Sequence, residues 1–353
     1  MNLDKVEKIA EAVLYEGYML YPYRASAVKN RQRWNFGVLY PRVYSEQQSG
    51  SDAWTMQTES LLEADLSTRL NIEIRFLQIV NRSVGKLLHA ASELPPDGEL
   101  EFVRVDKLTI CGRTYTSWHE AMERKVNLPP LNPAAFSLHR QSFFEFRSQR
   151  EFEPIANPDG VIEGVFIREW ESISGSIEVL LKKCGNGLFK TTVRLRNLTA
   201  FELPKVETRS GALTSSFVSA HTIFGTEGGR FVSLLDPPHE FESFVAECTN
   251  IGTWPVLVGE DGARDAMLSS PIILYDYPQI APESPGSLFD GTEIDEILSL
   301  RILTMTDSEK QEMRQSDGRA REILERTESM SPEQFMKLHG VLRGLRSVPE
   351  EAQ

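Results

Sequence analysis

Apolar residues recur along this chain with two different periods. Val6, Ile9, Ala10, Val13 and Leu14 fall at i, i+3, i+4, i+7 and i+8, the spacing that gathers one apolar stripe on a helix. Residues 3–20 are therefore expected to form an amphipathic helix that ends before Pro22. From Leu70 the period drops to two. Leu70, Ile72, Ile74 and Phe76 face one way and Asn71, Glu73 and Arg75 the other, which predicts a half-buried strand. The stretch ELEFVRVDKLTICGRTYTSW adds a strand and a turn near Gly112. Ser117 with Glu120 then matches a capping box for a short helix.

A proline-rich passage, NLPPLNPAAF (127–136), reads as an extended connector and a candidate boundary. Beyond it the signals are mainly β. VIEGVFIREWE (161–171) precedes a hairpin in which Ile177, Val179 and Leu181 alternate out, Cys184 to Gly187 turn, and Phe189, Thr191, Val193 and Leu195 alternate back. A second hairpin is expected around Glu227-Gly228-Gly229. From Pro285 the pattern becomes helical, with caps at Thr292, Thr306 with Glu309, and Ser331 with Gln334. The expected class is α+β: an antiparallel, sandwich-like β-rich body with an amino-terminal helix and a helical carboxy-terminal section. The expected regions are 1–135 (α+β), 136–285 (β-rich) and 286–353 (helical).

Composition narrows the classes. The chain has 353 residues, of which 41% are hydrophobic and 25% charged, with a formal net charge of -13, values of a globular protein with a real core. The acidic balance disfavours general binding to nucleic acid or anionic membrane. Cys111, Cys184 and Cys248 are scattered and form no C-x-x-C, a pattern of a reducing compartment. No apolar run reaches bilayer length, and the charged first turns are unlike a secretory signal. A cytoplasmic location is expected, and the two sequons at Asn81 and Asn197 are then coincidental.

Candidate chemistry is sparse. Phosphate-binding and dinucleotide glycine motifs, the nucleophile elbow and H-E-x-x-H are all missing from the sequence. His119-Glu120 can be read as an acid–base pair, and also as part of a helix start, which is the stronger reading. Asp236, His239 and Glu240 in DPPHEF can aim at a metal or substrate, or simply punctuate a strand end. Asp290, Glu293, Asp295 and Glu296 can hold a hard cation, but acids in a first helical turn also complement its dipole. Tyr275, Asp276 and Tyr277 make an aromatic loop suited to docking. No catalytic residue, metal ligand set or cofactor is assigned.

One segment stands apart. Between Glu16 and Glu46 no acidic residue occurs, and YPYRASAVKNRQRWNFGVLYP (21–41) carries Tyr21, Tyr23, Arg24, Arg31, Arg33 and Trp34. Its arginines can pair with carboxylates of the same protein, which is the leading reading. They can instead serve a protein interface together with the rings, or, less readily in so acidic a chain, single-stranded nucleic acid.

This segment, together with GRTYTSWHEAMER (112–124), SSPIILYDYPQIAPESPGSLFDGTEIDEILSLRILTMTDSEK (269–310) and DGRAREILERTESMSPEQFMKLHG (317–340), resembles a bacterial family without an assigned activity, encoded among the accessory genes of uptake nickel–iron hydrogenases. The resemblance spans both ends and part of the middle of the chain. It implies a non-catalytic cytoplasmic accessory or scaffolding protein for assembly or maturation of the hydrogenase, whose partner is a hydrogenase subunit or maturation factor. It carries no site residues over. The partner faces expected are Tyr21, Tyr23, Arg24, Arg31, Arg33, Trp34 and the loop Tyr275–Asp276–Tyr277. Two rival readings are a metal-dependent hydrolase built on His221, His239 and nearby acids, and a nucleic-acid-binding module on residues 21–42.

Overall fold

A computed structural model describes residues 3–15, 37–49, 52–94, 100–135, 138–202, 209–279, 302–316 and 318–331. The chain divides into two compact units, one of Met1–Leu20 with Ala25–Gln279 and one of Tyr21–Arg24 with Ile280–Gln353. The larger unit is mostly antiparallel β. Its strands are β1 (Thr55–Glu63), β2 (Arg69–Ala91), β3 (Phe102–Val105), β4 (Lys107–Ile110), β5 (Arg113–Thr116), β6 (Trp118–Asn127), β7 (Leu138–Phe146) and β8 (Gln149–Ala156). They continue as β9 (Ile162–Trp170), β10 (Ile173–Lys183), β11 (Leu188–Asn197), β12 (Val218–Glu227), β13 (Arg230–Phe231), β14 (Trp254–Leu257) and β15 (Ala266–Ser270). Its helices are α1 (Leu3–Tyr15), α2 (Arg42–Gln47), α3 (Arg209–Leu213) and α4 (Glu242–Ala246).

Two sheets enclose the main core. The first runs β13-β1-β11-β10-β7, the second β14-β15-β12-β2-β9-β8, with β3 and β6 also paired to β2. Ile177, Val179, Val193 and Leu195 of the first sheet meet Ile72, Ile74, Phe76, Phe224 and Met267 of the second in one apolar cluster. Phe76 stacks on Phe217 with ring centroids 4.5 Å apart. This is a sandwich, the arrangement that lets one-sided strands bury their apolar faces against each other.

The β10–β11 hairpin has the expected pairing, Val179 opposite Val193 and Leu181 opposite Thr191, and Gly187 supplies the positive φ of 73° that its turn requires. The turn expected near Gly112 closes a hairpin that joins β4 to β5. Cys111 and Gly112 both have positive φ, 47° and 80°, the conformation whose twist suits a two-residue hairpin.

Four expectations are corrected. Ser117 and Glu120 do not cap a helix; Trp118–Asn127 is strand, paired with β2 from Glu73 to Arg82. Available pairing on the edge of β2 outweighs a local capping pattern. The turn at Gly228 does not close a hairpin either, because β12 pairs with β2 and β15 while β13 pairs with β1; the chain there passes from one sheet to the other. The proline-rich passage is no boundary: Leu128 N donates to Ile72 O, Leu131 bridges Leu70, and both leucines are buried. Nor does a division at 135 separate the sheets, since β1 pairs with β11, and β2 with β9 and β12.

The fourth correction concerns the polar face of β2. Residues 74–80 are all buried, so this strand is covered on both sides rather than one. Arg75 is 4% exposed, paired with Glu73, with Glu7 of α1 at 3.3 Å and with Glu123 at 3.7 Å. Val6, Ile9 and Ala10 of α1 pack with Ile223, Val256 and Leu268 over the same outer face. His221, opposite Arg75 in the register, is fully buried there. Its Nδ1–H donates to Ser219 O at 2.9 Å and its Nε2 has no partner.

The smaller unit is described over α5 (Asp307–Ser316) and α6 (Gly318–Ser329). Thr306 and Glu309 close a reciprocal cap, Thr306 N and Oγ1 donating to Glu309 Oε2 and Glu309 N donating back to Thr306 Oγ1. The caps expected at Thr292 and at Ser331–Gln334, and the acids Asp290, Glu293, Asp295 and Glu296, lie outside the described residues or run out of them. No helix among the described residues is long and apolar enough to cross a membrane.

Burial pushes the His221 imidazole down to about 4, and the Arg75 charge pushes the same way. The folded state thus takes up this proton less readily than the unfolded chain. Its contribution to stability is complete above about pH 6.5 and is lost as pH falls towards 4, by roughly 3 kcal/mol. Urea unfolding at pH 7 and pH 4 is expected to show that loss in the native protein. The His221→Gln variant, which has nothing to titrate, is expected to show a correspondingly smaller drop.

Candidate functional site

The described end of the aromatic-basic segment leads into a cleft. Gly37 adopts φ 50°, and a Cβ there would lie 2.4 Å from Pro271 Cγ, so the chain can pass only as glycine. Gly37 O accepts from Ala220 N, and Leu39 exchanges both backbone hydrogen bonds with Phe217. Asn197, fully buried, donates to Leu39 O at 2.8 Å and to Ser215 O at 2.9 Å. Residues 37–40 are thereby sewn to the start of β12. There the strand carries a bulge between Val218 and His221, with Ser219 at φ 53°. Bulges and left-handed non-glycine residues concentrate near functional sites, because they re-aim side chains at a cost in strain.

The cleft beside this junction has a volume of about 310 Å³. Tyr40, Asp52, Met56, Arg209, Trp254 and Pro271 are among its lining residues. Arg209 Nε donates to the Tyr40 hydroxyl at 2.8 Å, and Arg209 Nη2 donates to Asp52 Oδ1 at 3.1 Å. Tyr44 donates to Asp52 Oδ2 at 3.3 Å, with the Tyr40 and Tyr44 rings 5.0 Å apart. Ser45 Oγ donates to Asp52 O and ties α2 to the same point. Tyr40 is 1% exposed, and burial pushes its phenol up to about 12 against the opposing pull of Arg209. A neutral phenol and a paired Arg–Asp couple make no nucleophile; the arrangement is suited to holding a ligand by shape and hydrogen bonds.

Large apolar side chains are exposed on the segments that lead away from this cleft, with Trp254 in its lining. Trp254 is 43% exposed, and Ile251, just before it, is 52% exposed. Trp254 faces Ser270 in the register, and the chain continues from Ser270 through Pro271 to Ile273 and Tyr275, 73% and 86% exposed. The stretch that carries Tyr275 is fixed at its Asp276–Tyr277 end. Asp276 Oδ1 accepts from Leu257 N at 2.7 Å, Asp276 Oδ2 accepts from Ser233 Oγ, and Tyr277 N donates to Leu257 O. Tyr277, at φ 57°, turns its ring onto the main core.

Of the docking loop inferred from sequence, Tyr275 alone faces out. Asp276 is a latch and Tyr277 an anchor. Tyr21, Tyr23, Arg24, Arg31, Arg33 and Trp34 lie outside the described residues. Glu120, read as an acid–base partner of His119, is held by Arg82 at 2.8 Å and Arg168 at 2.6 Å. His239 starts a single exposed helical turn, whereas His221 is sealed beneath α1, so the two histidines of the hydrolase reading do not share an environment. Among the described residues no three His, Cys, Asp or Glu side chains converge as a metal site. Sequence reasoning missed Asp52, Arg209 and Trp254, which come from three separate segments with no motif among them. No protein-family model matches the chain, and no curated protein matches it.

Because the folded state holds Tyr40 protonated, its contribution is complete below about pH 10 and lost as pH rises towards 12. Tyr40→Phe is expected to flatten the fall in stability between pH 10 and 12, measured by urea midpoint. An unchanged slope would remove Tyr40 as the titrating group.

Proposed function

We propose that this protein is a non-catalytic accessory or scaffolding protein that docks on a protein partner, with the Tyr40–Arg209–Asp52 cleft and the exposed apolar side chains on the segments leading from it as the docking face. The observation that carries the reading is Trp254, a large aromatic side chain 43% exposed in the cleft lining, with Ile251, Ile273 and Tyr275 exposed on the segments that lead away from it. Exposed aromatic and aliphatic groups at a preformed concavity are the usual composition of an interface anchor. The cleft's polar groups already satisfy one another, which favours recognition over bond-making chemistry. The described end of the aromatic-basic segment, Gly37 to Tyr40, belongs to the same proposal, since it lines the cleft.

The finer reading follows the resemblance. The partner is a hydrogenase subunit or maturation factor, the setting is the cytoplasm, and the architecture is a β-rich body flanked by an amino-terminal helix and a helical carboxy-terminal section. Helices α1, α5 and α6 support the last of these.

Tagged protein purified from hydrogenase-expressing cells is expected to bring down a hydrogenase subunit or maturation factor. Trp254→Ala and Tyr275→Ala are each expected to cut that recovery by about tenfold or more, with folding intact by circular dichroism. Recovery of neither class of protein would overturn the hydrogenase role. Recovery undiminished in both variants would overturn the docking face.

A further inference from the structure

A guanidinium with no counterion among the described residues lies on β6, which pairs with β2 of the second sheet, over a ring of β7 from the first. Arg124 of β6 is half-buried. Its Nε donates to Gln78 Oε1 at 2.9 Å. Its guanidinium lies over Phe146 of β7 at 4.7 Å from the ring centroid and near Trp170 of β9 at 5.9 Å. Among the described residues no carboxylate pairs with it. Arg75, Arg82, Arg168, Arg196 and Arg264, whose side chains are comparably or more deeply buried, each meet an acid.

The partner that Arg124 does have is neutral and fixed. Gln78 is fully buried, and its Nε2 donates to Glu171 O at 2.7 Å, which sets the amide so that its oxygen faces the arginine. A neutral acceptor leaves the positive charge uncompensated in a place that has lost much of its water, and that is costly. Desolvation accordingly lowers the Arg124 pKa with no acid to offset it. The rings hold the guanidinium plane, and cation–π contact stabilises it there without satisfying its remaining N–H groups. Neither Nη nitrogen is sealed from solvent. What remains is a flat, oriented, two-pronged donor edge that solvent can reach.

We propose that Arg124 is the receptor of an oxyanion-binding site, which takes the carboxylate of a small organic acid end-on across its Nη1–Nη2 edge. The planar fork matches a carboxylate in bidentate fashion. Charge argues for a monoanion rather than a phosphate dianion. The guanidinium carries a single positive charge, which a monocarboxylate neutralises without leaving excess negative charge. This site is separate from the docking cleft and does not depend on it.

The test uses the full chain and two probes, propionate and inorganic phosphate, against chloride at matched ionic strength. Thermal midpoint and calorimetric titration are read for the native protein, Arg124→Gln and Gln78→Glu. The second variant keeps Arg124 but gives it an internal carboxylate, so it remains informative if the first fails to fold. Propionate is expected to raise the native midpoint through binding to the folded state, with affinity reduced about tenfold or more in both variants. Phosphate is expected to act more weakly. An equal response in all three proteins would mean an adventitious ion only and would overturn the site, as would no response in the native protein. A phosphate response exceeding that of propionate would overturn the carboxylate assignment.

Discussion

The fold depends on the satisfaction of one long strand. β2 runs 23 residues, and much of it is closed off from water, so its peptide groups need partners from protein. A buried amide or carbonyl left unpaired costs about 1–3 kcal/mol. Both edges are filled in relay. On one edge β12 pairs with Arg69 to Leu77 and β9 takes over from Asn81; on the other, β6 covers Glu73 to Arg82 and β3 continues from Val84 to Leu87. The first half faces the five-stranded sheet, and the second carries the smaller apolar clusters around Val84 and Leu87. Sequence-distant segments are thereby committed to one body.

Charge follows the same logic. Where strands are covered on both faces, ionised side chains must bring their partners with them. Arg82 and Arg168 share Glu120 between β2, β9 and β6, while Arg104 and Arg150 share Glu169. On the outer face of the other sheet, Arg194, Arg196 and His139 converge on Glu178. Arginine forks that bind carboxylates across strands are thus a habit of this protein, and a bare Arg124 departs from it.

The sequence was legible where contacts are local. Alternation and a glycine turn sufficed for β10–β11, and a reciprocal Thr–Glu pattern sufficed for the cap at Thr306. It misled where two structures share one pattern: Ser117-x-x-Glu120 satisfies a capping box and also suits a strand whose acid pairs with arginines on neighbouring strands. Partners of β2 and β12 lie too far along the chain to be read, so the boundary at 135 and the hairpin at Gly228 were misplaced. The candidate cleft was half visible. Tyr40 closes the aromatic-basic segment, but Asp52, Arg209 and Trp254 meet it only through the fold.

Hydrogen exchange along β2 is the most direct test of a single interleaved body. The amides of Ile74 and Phe76 in its first half, and of Val84 and Lys86 in its second, are expected to exchange with the same opening free energy and the same dependence on denaturant, because neither half keeps its partners without the other. A distinctly lower opening energy for Val84 and Lys86, with a shallower denaturant slope, would contradict it and make the second half of β2 an independent unit.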